Sequence, residues 1–123
     1  MLKKRIIPIL QLLDGSLVKT QQFDSWRKVG DPVKSAGVYN SQYTDELVLL
    51  NIARQQRSIE QLAQLIPEIA KVSFMPLSVG GGINHLDDAS YLINQGADKV
   101  IVNSSVYQHP EVITQVATQF GKQ

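Results

Sequence analysis

Four short apolar runs, Arg5 to Leu10, Glu46 to Asn51, Met75 to Val79 and Lys99 to Asn103, constrain this chain more than any other feature. Each is strand-length and rich in Ile, Val and Leu. Helical patterns lie between them. "GDPVKSAGVYNSQY" opens with Asp31 as a cap and Pro32 at the first helical position, and puts Val33, Ala36 and Gly37 on one face. "SIEQLAQLIPEIAKV" has capping-box spacing from Ser58 to Gln61, repeats Leu62, Leu65, Ile66 and Ile69 at helical intervals, and predicts a kink or break at Pro67. A third helix is expected from about Leu86 to Gln95 with Gly96 as its stop. A fourth is expected from Pro110 to Phe120, closed by Gly121. Strand and helix thus alternate four times, which means parallel strands joined by crossovers. The exception is the long first connection, roughly Leu12 to Gly30, which holds Lys19, Phe23 and Trp26 and is expected to be a functional or mobile loop.

Strand parity separates two faces of the sheet. One carries Ile6, Leu10, Leu47, Leu49, Leu77, Val79, Val100 and Val102 and suits packing under helices. The other is layered: Arg5, Glu46 and Lys99 at the strand starts, then Ile7, Ile9, Val48, Leu50 and Ile101, then Gln11 and Asn103. Such layering suits the interior of a (β/α)8 barrel, yet a barrel typically takes about 250 residues, and this chain has 123. Leaving five aliphatic side chains in water forgoes roughly 1.5 to 3 kcal/mol each, against a domain stability of about 5 to 15 kcal/mol. The expectation is one α/β domain over residues 1–123, a (βα)4 half of a TIM-type barrel that a second copy completes around a two-fold axis. A doubly wound sheet with helices on both faces is the competing arrangement.

Composition excludes several function classes. A net charge of +1 gives no nucleic-acid footprint. With no cysteine there is no disulfide framework and no thiolate metal site, which fits a cytoplasmic setting. Pro8 and Gln11 interrupt the apolar amino-terminal stretch, so no signal peptide or membrane segment is expected there.

"PLSVGGGINH" places three consecutive glycines at the carboxyl end of the third strand, just before a helix. Backbone N–H groups in such a turn can cradle a phosphate, and the helix dipole adds to the attraction. Asn103 and Ser104 end the neighbouring strand, so Gly81, Gly82, Asn103 and Ser104 form a candidate phosphate site for a phosphorylated small molecule. His85 follows the glycines and is expected at the surface, with contact to a ligand as the alternative; His109 precedes Pro110 and is expected in a turn. No His or carboxylate cluster has metal spacing, no Ser-His-Asp constellation is suggested, and no cofactor is expected.

The strings "KRIIPIL", "GDPV", "DELVLLNI", "PLSVGGGI", "GADKVIVNS" and "ITQVATQFGKQ" together resemble the amino-terminal half of the cyclase subunit of imidazole glycerol phosphate synthase, the HisF-like family of histidine biosynthesis. The resemblance covers the chain in register and implies a half of a (β/α)8 barrel with one of two phosphate sites, carried over onto Gly82, Asn103 and Ser104. It also implies that the first strand should end in an aspartate acting as general acid or base. Here that position is Gln11, an amide that exchanges no proton near neutral pH. The second strand's usual aspartate is Asn51, and the second essential aspartate belongs to the other half. In a homodimer the two-fold axis would set another Gln11 in its place, so cyclase activity is expected to be lost.

Lys19 matches a lysine of the family's catalytic loop. Arg5, Glu46 and Lys99 match a ring at the barrel floor that guards ammonia arriving from a docked glutaminase. Asp98 and Gln123 are expected on the same floor. The expected function is a phosphate-binding half-barrel that forms a homodimer or a higher even oligomer. The alternative is a subunit of a glutaminase-coupled enzyme, in histidine biosynthesis or in amidation of surface-polysaccharide sugars, which "LVKT" and "WRKVGDP" somewhat resemble. A truncated chain without a selected function is a third possibility.

Overall fold

The computed structural model describes residues 4–13, 16–21, 25–52, 59–102 and 109–121, with the backbone alone for residues 19–21 and 25–29. In chain order these form β1 (Ile9–Leu13), β2 (Ser16–Gln21), β3 (Ser25–Gly30), α1 (Pro32–Ser41), β4 (Leu47–Asn51), α2 (Ile59–Ala70), β5 (Leu77–Gly80), α3 (Leu86–Gln95), β6 (Lys99–Ile101) and α4 (Glu111–Phe120). One sheet runs in the order β3-β2-β1-β4-β5-β6. Its β1-β4-β5-β6 part is parallel throughout, the arrangement expected of half a TIM-type barrel. None of the described helices is long and apolar enough to cross a membrane.

Over its described residues the long first connection is not a loop. Its described residues form a hairpin, with β2 antiparallel to β3 and seated on β1 through Leu12 opposite Leu17 and Leu13 opposite Ser16. Leu17 and Val18 are buried, so this polar-looking segment is anchored by two aliphatic side chains. The first strand also starts later than its apolar run. Pro8 has no N–H to give a ladder, and the residues before it are held differently. Asp45 Oδ2 accepts from Ile6 N–H at 2.6 Å, and Asp45 N–H donates to Ile6 O at 3.0 Å. Ile6, expected under the helices, is 67% exposed because it lies ahead of the regular pleat.

The helices start and stop largely where local chemistry dictates. Asp31 Oδ1 accepts from the N–H groups of Val33 and Lys34 at 2.8 and 3.1 Å, capping α1. Gly96 and Gly121, both at positive φ, end α3 and α4. Ser58 lies outside the described residues. Pro67 does not break α2, which continues to Ala70. An interior proline costs about 3 kcal/mol. Burying Leu62, Ile66 and Ile69 beside it contributes roughly 1.5 to 3 kcal/mol each, so packing prevails.

Leu10, Leu12, Leu47, Leu49, Leu77 and Val79 join Ala36, Leu62, Ile66, Ala89, Leu92, Val112 and Val116 in one core cluster that takes residues from all four described helices. The other face has no such cover. Ile7 is 39% and Ile9 61% exposed, and Val48, Leu50 and Ile101 are half-buried. A doubly wound sheet would bury both faces, so this is the one-sided sheet of a half-barrel.

Candidate functional site

The carboxyl ends of the parallel strands form an upper rim, and strand register orders its residues. Gln11 stands opposite Leu50, Leu50 opposite Gly80, and Gly80 opposite Ile101. This row crosses the open face. One residue further along, Leu12 stands opposite Asn51, and both are buried. Side-chain alternation therefore assigns Gln11 to the open face and Asn51 to the helix-covered one. Both residues have polar partners in the structure.

The glycine run has a backbone explanation at each of its three positions. At Gly80 a Cβ would lie 2.7 Å from Ile101 Cβ, on the neighbouring strand. At Gly81, with φ at +100°, it would lie 2.1 Å from the carbonyl oxygen of Asn51. Neither contact can be relieved without moving a strand. Gly82 also has positive φ, at +85°, which keeps the turn in a conformation that L side chains rarely adopt. Gly81 and Gly82 thus lie together at the end of β5, while Asn103 and Ser104 fall outside the described residues.

Lys19 is not in a loop but on β2, with its backbone opposite Arg27 of β3. Trp26 is likewise on β3, opposite Thr20.

Two histidines meet at the rim. His85 caps the start of α3 and His109 lies just ahead of α4, with ring centroids 5.7 Å apart and planes tilted by 45°. His109 Nδ1 is 3.5 Å from Glu111 Oε1. Asp88 Oδ2 accepts from the N–H groups of Asn84 and His85 at 3.0 and 3.1 Å, fixing the backbone that carries His85. Sequence reasoning took these histidines one at a time. The signal that joins them is topological, because each follows the end of a strand in successive βα units. Among the described residues no group of three or more His, Asp or Glu could hold a metal ion.

At the opposite end, Arg5, Glu46 and Lys99 do come together. Arg5 donates to Glu46 Oε1, and Lys99 Nζ lies 3.5 Å from the same oxygen. The Glu46 side chain is nearly buried, whereas Arg5 and Lys99 are half-exposed. The hydrogen bond from Arg5, with the charges of Arg5 and Lys99, holds the Glu46 carboxyl below its ordinary range against an opposing effect of desolvation. Asp98 is at this end too, where its Oδ2 accepts from Leu77 N–H at 2.7 Å and its own N–H donates to Leu77 O. It therefore ties the start of β5 to the approach of β6, as Asp45 ties Ile6 to the approach of β4. Gln123 lies outside the described residues. Tyr43 and Phe74, 91% and 92% exposed, stand in the connections that lead into β4 and β5.

Comparison with known proteins agrees with this geometry. Residues 5–123 match the family described as histidine biosynthesis protein. The chain is 47% identical over its full length to the imidazole glycerol phosphate synthase subunit HisF of Staphylococcus epidermidis, covering 49% of that protein. The subunit of the same name is 46% identical in Staphylococcus aureus and 45% in Staphylococcus carnosus, with 49% and 48% of those proteins covered. The chain thus spans about half the length of the curated relatives it matches, corresponding to their amino-terminal half. A parallel half-barrel sheet, a glycine-rich rim and a full-length match converge, and the chain belongs to the histidine biosynthesis protein family.

Proposed function

We propose that this chain is a HisF-like half-barrel that a second (βα)4 unit, a further copy of itself, closes into a full barrel, and that it binds phosphate or a phosphorylated small molecule at the upper rim. The observation that carries the reading is the unequal treatment of the two sheet faces. Ile9 is 61% exposed on a strand whose helix-side neighbours Leu10 and Leu12 are buried. The β2-β3 hairpin pairs with β1 only at Leu12 and Leu13. Among the described strands none pairs with the outer edge of Ile9 to Gln11, which suits addition of a strand from another unit.

Gly81, Gly82, Asn103 and Ser104 are the phosphate-binding residues of this reading, with backbone N–H groups and a helix start on one side and an amide and a hydroxyl on the other. Gln11 stands on the open face where the family resemblance calls for a carboxylate, so cyclase turnover by this chain is absent. The setting is cytoplasmic.

Light scattering across a dilution series tests closure, with a dimer or an even multiple of one expected. A stable monomer at high concentration overturns it. Thermal denaturation with inorganic phosphate tests the rim, since a ligand that binds the folded state alone must raise the midpoint by mass action. No rise at millimolar phosphate counts against the site. Ammonia-dependent turnover of the histidine-pathway substrate would overturn the loss of cyclase chemistry.

The floor favours a second reading. The Arg5, Glu46 and Lys99 cluster, with Asp98 beside it and Tyr43 and Phe74 exposed at the same end, suits a docked glutaminase. The relatives are themselves named as subunits of a synthase. In this reading the chain is part of an ammonia-using enzyme, in histidine biosynthesis or in sugar amidation. Co-purification with a glutaminase encoded beside it distinguishes the two.

A further inference from the structure

The His85 and His109 pair stands at the rim beside the glycine turn with no role of its own assigned above, and its ring separation is close to that of two imidazoles around one ion. A late transition metal sits about 2.0 to 2.1 Å from a ligating imidazole nitrogen, hence about 3.2 Å from the ring centre. Two rings on a tetrahedral ion then have centroids about 5.2 Å apart. The observed separation is 5.7 Å, a difference that small side-chain rotations remove. The rings are tilted at 45°, not stacked.

The surroundings support the same conclusion. A metal-binding imidazole commonly gives its other nitrogen to a carboxylate, which fixes ring orientation and raises ligand basicity. Glu111 Oε1, 3.5 Å from His109 Nδ1, is placed for that role and leaves His109 Nε2 for the ion. Asp88 Oδ2 accepts from the N–H groups of Asn84 and His85, so the first ring projects from a fixed point. The His109 side chain is 45% exposed, so an ion can enter from solvent and keep water in its remaining positions.

We propose that His85 and His109 form a two-imidazole site for a divalent late transition ion, zinc, nickel or copper, with Glu111 as the orienting carboxylate. Imidazole ligands select such ions over magnesium or calcium, which prefer oxygen.

The chain contains only two histidines, which makes the test clean. Titration calorimetry with zinc chloride and with nickel chloride, on protein free of any histidine tag, should show one saturable ion per chain. His85→Asn and His109→Asn should each weaken binding at least tenfold, and Glu111→Gln by about tenfold or more. Magnesium chloride should give no comparable heat. Cobalt should give the visible bands of nitrogen ligation, and those bands should disappear in either histidine variant. Circular dichroism confirms that the variants are folded. Absence of saturable binding overturns the proposal, and so does binding that both single histidine variants retain at full strength.

Discussion

The two faces of the parallel sheet both carry aliphatic residues at their centres and are treated in opposite ways. On the helix side, Leu49 and Val79 are fully buried and the strands share a core with four helices. On the other side, Ile7 and Ile9 meet solvent while Val48, Leu50 and Ile101 are only half-covered. The difference teaches that apolar content alone does not say what a strand packs against. The covered face is satisfied by the chain's own helices. The open face carries a different pattern, aliphatic at its centre and ionic at its floor, that the described helices leave uncovered.

The comparison is sharpest where substitutions of equal size are made on the two faces. Leu49→Ala should destabilise by about 2 to 5 kcal/mol in chemical denaturation. Ile9→Ala, measured in dilute chain, should change stability by no more than about 0.5 kcal/mol. Equal losses would break the distinction between the faces.

The double variant Ile9→Asp and Leu50→Asp should leave a folded chain that no longer associates. The readout is molar mass by light scattering, compared with the unsubstituted chain at the concentration where the closure proposed above makes it a dimer. Retained association would move the interface away from the open face.

On the covered side the flank differs from the centre. Helix α1 buries Pro32 and Ala36, whereas α2 buries Leu62, Ala63, Ile66 and Ile69. Local capping therefore matters more for α1, and Asp31→Ala should cost about 1 kcal/mol by thermal denaturation.

The smallest effect belongs to the floor of the open face. The Glu46 carboxyl titrates below its ordinary value of 4.5 in the folded chain. Its contribution is therefore present above that value and lost as pH falls through the lowered folded value. Glu46→Gln should be modestly less stable than the unsubstituted chain at neutral pH, and the two melting curves should converge in acid. Solvent screening of Arg5 and Lys99 keeps the difference small. Curves that stay parallel to the lowest pH would remove the carboxylate from the account.

Much of the fold was legible from the chain because its signals are local. Gly96 and Gly121 end α3 and α4 where expected, and the Asp31-Pro32 pair starts α1. The Arg5, Glu46 and Lys99 cluster was legible as well, since strand parity and strand starts sufficed to bring the three together. The hairpin was not. "SLVKTQ" carries too few apolar residues to announce a strand, and its pairing depends on where Leu12 and Leu13 end. The clamps of Asp45 and Asp98 were hidden because a carboxylate ahead of a strand looks the same whether it binds water or a backbone N–H. The rim was half-legible. Its glycines were recognised, but the approach of Asn51 to Gly81 and the meeting of His85 with His109 arise only when separate βα units stand side by side.

Position 81 has one consequence for how such chains change over generations. With the Asn51 carbonyl 2.1 Å from where a Cβ would sit, every replacement there must first displace the adjoining strand. Any side chain at this position strains both the turn and the adjoining strand, whatever the rim holds. A lineage that stopped binding any ligand at this turn would still be unable to shed the residue. The glycine is therefore held in place by architecture alone, independent of any ligand at the rim.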